Sequence, residues 1–221
     1  MRLTPATHKA ISYACRHYHY SKSVPFVMAG YNVYNNKNEW CGVVLYGNGA
    51  TPNIGKPYGL VQGQILELVR VALNGKQEHT SQAVAMSLKQ LRHDKPMCRL
   101  VVSYADCDQS HLGTIYQATN WVYTGETCRG GRYFMINGKK THPKTVGHHC
   151  EQSLEAVRKT LDPNATEVYS QGKRRYLMPM DKAMRKQIAP LAQPYPKNDD
   201  WVKIDRTKFK EAKDGTDNET E

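Results

Sequence analysis

The stretch from Arg99 to Gly125 constrains the fold more than any other part of this chain. Arg99-Leu-Val-Val-Ser-Tyr-Ala-Asp106 is an apolar run of strand length, and its composition suits a buried strand. A polar loop leads to His111-Leu-Gly113, and a short helix carrying Tyr116 follows. Asn120-Trp121 then steps into a second strand that ends at Gly125. Asp106 falls just past the C-terminal end of the first strand, where α/β proteins collect their sites. A carboxylate there can act as a base or a metal ligand, or can cap the next turn together with Asp108 and Ser110. Tyr116 can present a phenol to a reacting group or fill a core position on an amphipathic helix.

The rest of the chain reads as further strands and helices around this unit. Residues 5–18 have helical spacing, with Pro5 suited to a first turn. Phe26–Tyr34 and Trp40–Tyr46 are strand-like and are joined by the turn cluster Asn35-Asn-Lys-Asn38, which predicts an antiparallel hairpin. Residues 47–63 hold five glycines and predict a long loop. Gln64–Leu73 is β-rich, and regular alternation puts Glu67 and Arg70 on opposite faces. Arg70 is then a cation inside an apolar strand that needs a partner from protein or ligand. Thr80 or Ser81 caps a predicted helix over Gln82–Arg92. A further strand is expected over Arg132–Ile136, a turn at Asn137-Gly138, and helices over Glu151–Leu161 and Asp181–Leu191. These features predict three parts: a catalytic domain over 1–150, a basic helical extension over 151–204, and a disordered charged tail over 205–221.

The chain of 221 residues carries a net charge of +11. Residues 129–210 hold 18 basic against 8 acidic side chains, whereas 211–221 hold one lysine and five acids. A local excess of this kind suits a polyanion; plain solubility is the bland alternative. The six cysteines show no CxxC spacing and no zinc pattern, so they are expected to be reduced thiols in a cytoplasmic protein. No apolar run approaches membrane-spanning length, and no membrane partner is expected.

The strand, loop, tyrosine-bearing helix and strand of residues 99–125 resemble the C-terminal half of a GNAT-type acyltransferase. That resemblance implies an α/β (α+β) fold with a central mixed, mostly antiparallel sheet flanked by helices. It implies an acyl-CoA site where the strand 64–73 meets the next helix, because free N–H groups at a helix N-terminus bind pyrophosphate. Lys76, His79, Thr80 and Ser81 occupy that place, where a GNAT chain usually carries a glycine-rich loop.

A narrower resemblance is to the Mom family of bacteriophage DNA-modification proteins. It is carried by His19-Tyr-Ser-Lys-Ser-Val-Pro25, Gly42-Val-Val-Leu-Tyr-Gly-Asn-Gly-Ala50, Gly55-Lys-Pro-Tyr58, Glu67-Leu-Val-Arg-Val-Ala-Leu73, Ser103-Tyr-Ala-Asp106 and Gly113-Thr-Ile-Tyr-Gln-Ala-Thr-Asn-Trp121. Lys173-Arg-Arg-Tyr176, Asp181–Ile188 and Pro194–Lys197 extend it. The resemblance implies conversion of adenine in DNA to N6-carbamoylmethyladenine, protecting the DNA from host restriction. Acetyl-CoA or a related acyl-CoA is the implied group donor. Simple acyl transfer gives an amide at N6, whereas this product has a methylene carbon on N6, so rearrangement, a further nitrogen source or a metal must enter. His19, Tyr20 and Asp106 are the candidate ligands for such a metal, with iron expected. The catalytic candidates are Tyr20, Arg70, Asp106 and Tyr116. Double-stranded DNA is the implied partner, gripped by Lys22, Arg174, Arg175, Tyr176, Lys182, Arg185 and Lys186, with the target base flipped from the stack. A homodimer is compatible with the sequence. The competing readings are an ordinary GNAT N-acetyltransferase acting on a small amine or a protein, and a non-catalytic DNA-binding anti-restriction protein.

Overall fold

The computed structural model describes residues 1–49, 51–127 and 130–197. The expected tail over 205–221 lies outside the described residues. The chain divides into two compact units. Of the described residues, the first contains 1–105, 113–125 and 174–195, and the second contains 106–112, 126–173 and 196–197.

The first unit begins with β1 (Arg2–Pro5) and α1 (His8–Tyr18). Pro5, expected in the first turn of the helix, is instead the last residue of β1, the edge strand, where a missing N–H is tolerated. Thr7 caps α1, its hydroxyl accepting from Ala10 N at 3.3 Å. The predicted hairpin is present as β2 (Ala29–Tyr34) and β3 (Trp40–Gly47). Its turn is held by Asn35 Oδ1, which accepts from Lys37 N and Glu39 N at 3.0 and 2.9 Å. β4 (Ile65–Leu73) pairs antiparallel to β3, and α2 (Thr80–Asp94) leads to β5 (Leu100–Asp106), which runs parallel to β4.

The unit closes with α3 (Thr114–Gln117), β6 (Val122–Glu126), β10 (Lys173–Pro179) and α6 (Lys182–Ile188). The sheet order is β1-β2-β3-β4-β5-β10-β6. It is the α/β class expected of a GNAT-like chain, a mostly antiparallel sheet flanked by helices. One difference concerns residues 173–188, expected in a helical extension. They supply an interior strand of the main sheet and a helix that packs on it, because Leu177, Met184 and Ile188 share one apolar cluster with Leu100 and Val102.

α2 and α1 cover opposite faces. Ala83, Leu88 and Leu91 of α2 pack on Tyr31, Val33, Val44 and Tyr46, whereas Ile11, Ala14 and Cys15 of α1 pack on Val43, Leu45 and Ala72. The step into β6 is as the sequence implied: Asn120 takes the left-handed conformation at φ +59° and Trp121 is fully buried. Gly113 has φ +75°, and a Cβ there would meet the Tyr176 ring at 2.4 Å, so only glycine fits between α3 and β10.

The second unit holds a three-stranded sheet, β8-β7-β9, built from β7 (Arg132–Ile136), β8 (Lys139–Thr141) and β9 (Thr166–Tyr169). α4 (Pro143–Val146) and α5 (Leu154–Thr160) accompany it, and Phe134, Val146, Val157 and Ala165 form its core. Asn137 and Gly138, both at positive φ, make the predicted turn. Cys15, Cys41, Cys98, Cys107 and Cys150 are free thiols. Among the described residues no helix is long and apolar enough to cross a membrane.

Tyrosines do much of the packing that phenylalanine does elsewhere; the chain has 14 Tyr and 3 Phe. Burial raises the pKa of Tyr31, Tyr46 and Tyr116, and pushes Tyr104 and Tyr176 up to about 12. An unfolded tyrosine ionises near pH 10. These groups therefore stabilise the fold fully below about pH 10 and lose that contribution as the pH rises above it, where the unfolded chain binds fewer protons. Tyrosinate absorption from the buried rings is expected to appear only together with loss of far-ultraviolet dichroism. Buried-ring ionisation that precedes unfolding would contradict this packing.

Candidate functional site

The site starts from an irregularity in β4. Leu45 of β3 lies opposite Arg70, but the next residue, Tyr46, lies opposite Leu68, so Val69 is an extra residue, a β-bulge. Leu66 and Leu68 face the α2 side, so Glu67 between them faces the α1 side. Val69 and Ala72 also face α1, and Arg70 shares that face with its cross-strand partner Leu45. The expectation that Glu67 and Arg70 point to opposite faces is corrected: one inserted residue shifts the alternation and puts both on the α1 face.

The bulge is followed by a parting of strands. β4 and β5 pair from Ile65/Leu100 to Glu67/Val102 and no further, although both continue. Ser103, the first β5 residue beyond the pairing, bridges the gap. Its Oγ lies 3.0 Å from the Leu68 carbonyl and 2.8 Å from Tyr116 OH. A hydroxyl has one proton, and a carbonyl only accepts, so Ser103 donates to Leu68 and takes the Tyr116 proton as acceptor. Tyr116 is buried against Trp121 and Tyr176. Burial raises its pKa, and the Glu67 charge pushes it further up. The phenol therefore keeps its proton at neutral pH.

Arg70 is held by neutral groups. Nη1 donates to the Val69 carbonyl at 2.6 Å and Nη2 to Ser23 Oγ at 3.1 Å, while Nε is buried and makes no hydrogen bond. From Ser23 a polar chain continues through Ser21 Oγ at 3.2 Å to His19 Nδ1 at 2.9 Å. Ser21 N also donates to that nitrogen at 3.1 Å, so Nδ1 is an acceptor and the neutral ring carries its proton on Nε2. The Tyr20 ring stacks on His19 with centroids 4.4 Å apart and is half exposed. Cys15 lies beneath, where burial raises its thiol pKa and the Arg70 charge lowers it, burial winning.

The N-terminus of α2 is where a donor site was expected. The cap residue is His79 rather than Thr80 or Ser81, because His79 is extended and Thr80 already helical. No side chain caps the first turn, and Ala83 N, bonded to His79 O at 3.2 Å, is the first N–H of the helix held by the helix itself. Thr80 Oγ1 accepts instead from Gln77 Nε2 at 2.9 Å. The loop is braced from below: Asn35 Nδ2 donates to Lys76 O at 3.1 Å, and Asn36 N to Glu78 Oε1 at 2.7 Å. Lys76, His79, Thr80 and Ser81 thus sit together at one uncapped helix end, a donor set that fits a pyrophosphate.

Other expected residues fall elsewhere. Asp106 belongs to the second unit and caps the turn Cys107–Gln109, its Oδ1 accepting from Asp108 N at 3.0 Å. Among the described residues no group of three or more His, Cys, Asp or Glu side chains could hold a metal, so the expected iron finds no support. Arg174 and Tyr176, expected on a phosphate-gripping surface, are buried at 3% and 0% exposure: both point from β10 into the core, as strand alternation with Met178 requires. Arg175, on the other face, donates from Nε to Thr124 Oγ1 at 2.8 Å. Lys182, Arg185 and Lys186 are exposed along α6, and Lys22, at φ +53°, is exposed in the α1–β2 loop. Ser23 and Ser103 were not singled out from the sequence. A serine inside the apolar run of β5 was the available signal for Ser103.

Asp106→Ala is expected to lower stability by about 1 kcal/mol, as loss of a cap does, with Asp106→Asn keeping most of it. Urea denaturation of the two variants measures this, and equal losses would remove the capping role.

A family model, the Mom protein family, matches residues 1–197. The protein named methylcarbamoylase mom of Escherichia phage Mu is 26% identical over 163 residues, covering 71% of this chain and 67% of that protein. Among solved structures, a chimera of the Vibrio cholerae spermidine N-acetyltransferase SpeG is 9% identical with a TM-score of 0.47, over 81% of this chain and 97% of that one. A probable acetyltransferase of the GNAT family from Chromobacterium violaceum is 11% identical with a TM-score of 0.46, over 80% of this chain and 82% of that one.

Proposed function

Because the chain belongs to the Mom protein family, we propose that it is a transferase that converts adenine in DNA to N6-carbamoylmethyladenine in the host-cell cytoplasm and so shields phage DNA from restriction. The observation that carries this reading is the family match over residues 1–197, and the name of the phage Mu relative, a methylcarbamoylase, supplies the group transferred.

The divergence of β4 and β5 supports a transferase site. An acyl-CoA bound there supplies an activated carbon group as a thioester. The uncapped first turn of α2, with Lys76, His79, Thr80 and Ser81, suits its pyrophosphate. Arg70 offers a buried, uncommitted N–H to an oxygen on which negative charge develops, and such a donor acts most strongly where water is excluded. Tyr116 holds a proton that it can give to a leaving thiolate, and Ser103 fixes the phenol. His19 and Tyr20 lie at the outer end of the polar chain that starts at Arg70 and suit contact with the base. Direct attack of N6 on a thioester carbonyl, with loss of the thiol, gives an amide; the product holds one nitrogen more than N6-acetyladenine and is two electrons more oxidised, so acetyl transfer is not the whole reaction.

Nucleoside mass spectrometry of plasmid DNA from cells expressing the chain is expected to show adenosine heavier by a carbamoylmethyl group. Arg70→Lys and Tyr116→Phe are expected to reduce its yield by about 100-fold, the scale of one lost transition-state donor. Unmodified adenine with folded, soluble protein would overturn the reading.

The exposed cations of α6 support a phosphate contact. Replacing Lys182, Arg185 and Lys186 together by alanine is expected to reduce the slope of log affinity on log salt by roughly 2–3. Titrations of labelled duplex at several salt concentrations measure it, and an unchanged slope would remove α6 from the DNA surface.

A further inference from the structure

The segment joining α1 to β2 carries a feature that the transfer chemistry does not use. Residues 24–28 alternate in exposure, with Pro25 and Val27 partly buried and Val24, Phe26 and Met28 exposed. An outward face at the surface is ordinarily polar. Here it is an apolar stripe, with Val24 37%, Phe26 72% and Met28 36% exposed. The stripe is firmly presented: Met28 N donates to Tyr46 O at 2.7 Å, Val27 packs on the α1 cluster, and Ser23, just before the stripe, holds Arg70.

The surroundings select the occupant. Residues 1–38 contain five Lys or Arg and no Asp or Glu. Lys9 and Arg16, seven residues apart on α1, share one exposed face with Tyr13 and His17, whose rings stack at 4.1 Å, and Lys22 is exposed beside Tyr20. An apolar stripe whose charged neighbours in sequence are all cations matches a polyanion with an apolar interior. Duplex DNA is that, with phosphates outside and stacked bases within.

We propose that residues 24–28 are a wedge that opens the duplex: Phe26 enters the base stack at the place the target adenine leaves, while Lys9, Arg16 and Lys22 take the flanking phosphates. The amino group to be modified lies on the pairing edge of adenine, so the base must leave the stack, and an inserted apolar side chain fills the gap and slows its return. The stripe begins beside Ser23 and Arg70, so the extruded base emerges next to the proposed catalytic cation. This inference rests on the proposed DNA reading.

The test uses the full chain and a labelled duplex built on the sequence around an adenine modified in cells. A second duplex has an abasic site opposite that adenine, which leaves the base already unpaired. Phe26→Ala is expected to bind the paired duplex about tenfold more weakly than the wild type and the pre-opened duplex within about twofold of it, with Phe26→Leu between. Thermal unfolding of Phe26→Ala should match the wild type, since the side chain is largely exposed. Wild-type affinity of Phe26→Ala for the paired duplex, or an equal loss on both duplexes, overturns the wedge. If the wild type modifies no adenine in cells, the proposed function itself fails, and the wedge fails with it.

Discussion

The hydroxyl of Ser103 between the Leu68 carbonyl and the Tyr116 phenol is the contact on which the site depends. β4 and β5 stop pairing at Glu67 and Val102, which leaves backbone groups of both strands without ladder partners inside the protein. Buried carbonyls must be satisfied. Ser103 satisfies one at 3.0 Å and at 2.8 Å ties the phenol to the same place. The gap between the strands can therefore persist without an unpaired carbonyl at Leu68, and the tyrosine lining it has a fixed orientation and retains its proton.

The bulge at Val69 works with this parting. By shifting the alternation it turns Arg70 to the α1 face, beside the loop of His19, Ser21 and Ser23. Arg70 is partly buried there, with a carbonyl and a hydroxyl on its guanidinium and its Nε buried without a hydrogen bond.

Much of the fold was legible in the residues. The hairpin at Asn35–Asn38, the strand of 100–106, the short helix bearing Tyr116, the Asn120-Trp121 step and the Asn137-Gly138 turn depend on local chemistry: side chains that bond their own backbone, residues that accept positive φ, and apolar runs of strand length. Arg174 and Tyr176 were misplaced for the opposite reason. A basic-aromatic string looks like surface until it is known to be a strand, and then alternation alone buries every second residue. The role of residues 173–188 in the main sheet was equally hidden, because β10 lies beside β5, far from it in sequence.

The sequence by itself determined the class of fold, the elements whose ends are set by turn and cap residues, and the family, since these rest on local propensity and on an ordered string of residues. Tertiary structure alone decided which faces Glu67 and Arg70 share, which cations stay at the surface, and that Asp106 caps a turn. A bulge is a mismatch between two strands, and burial depends on what packs from elsewhere in the chain. Neither is a property of any one segment, so neither can be read from the segment alone.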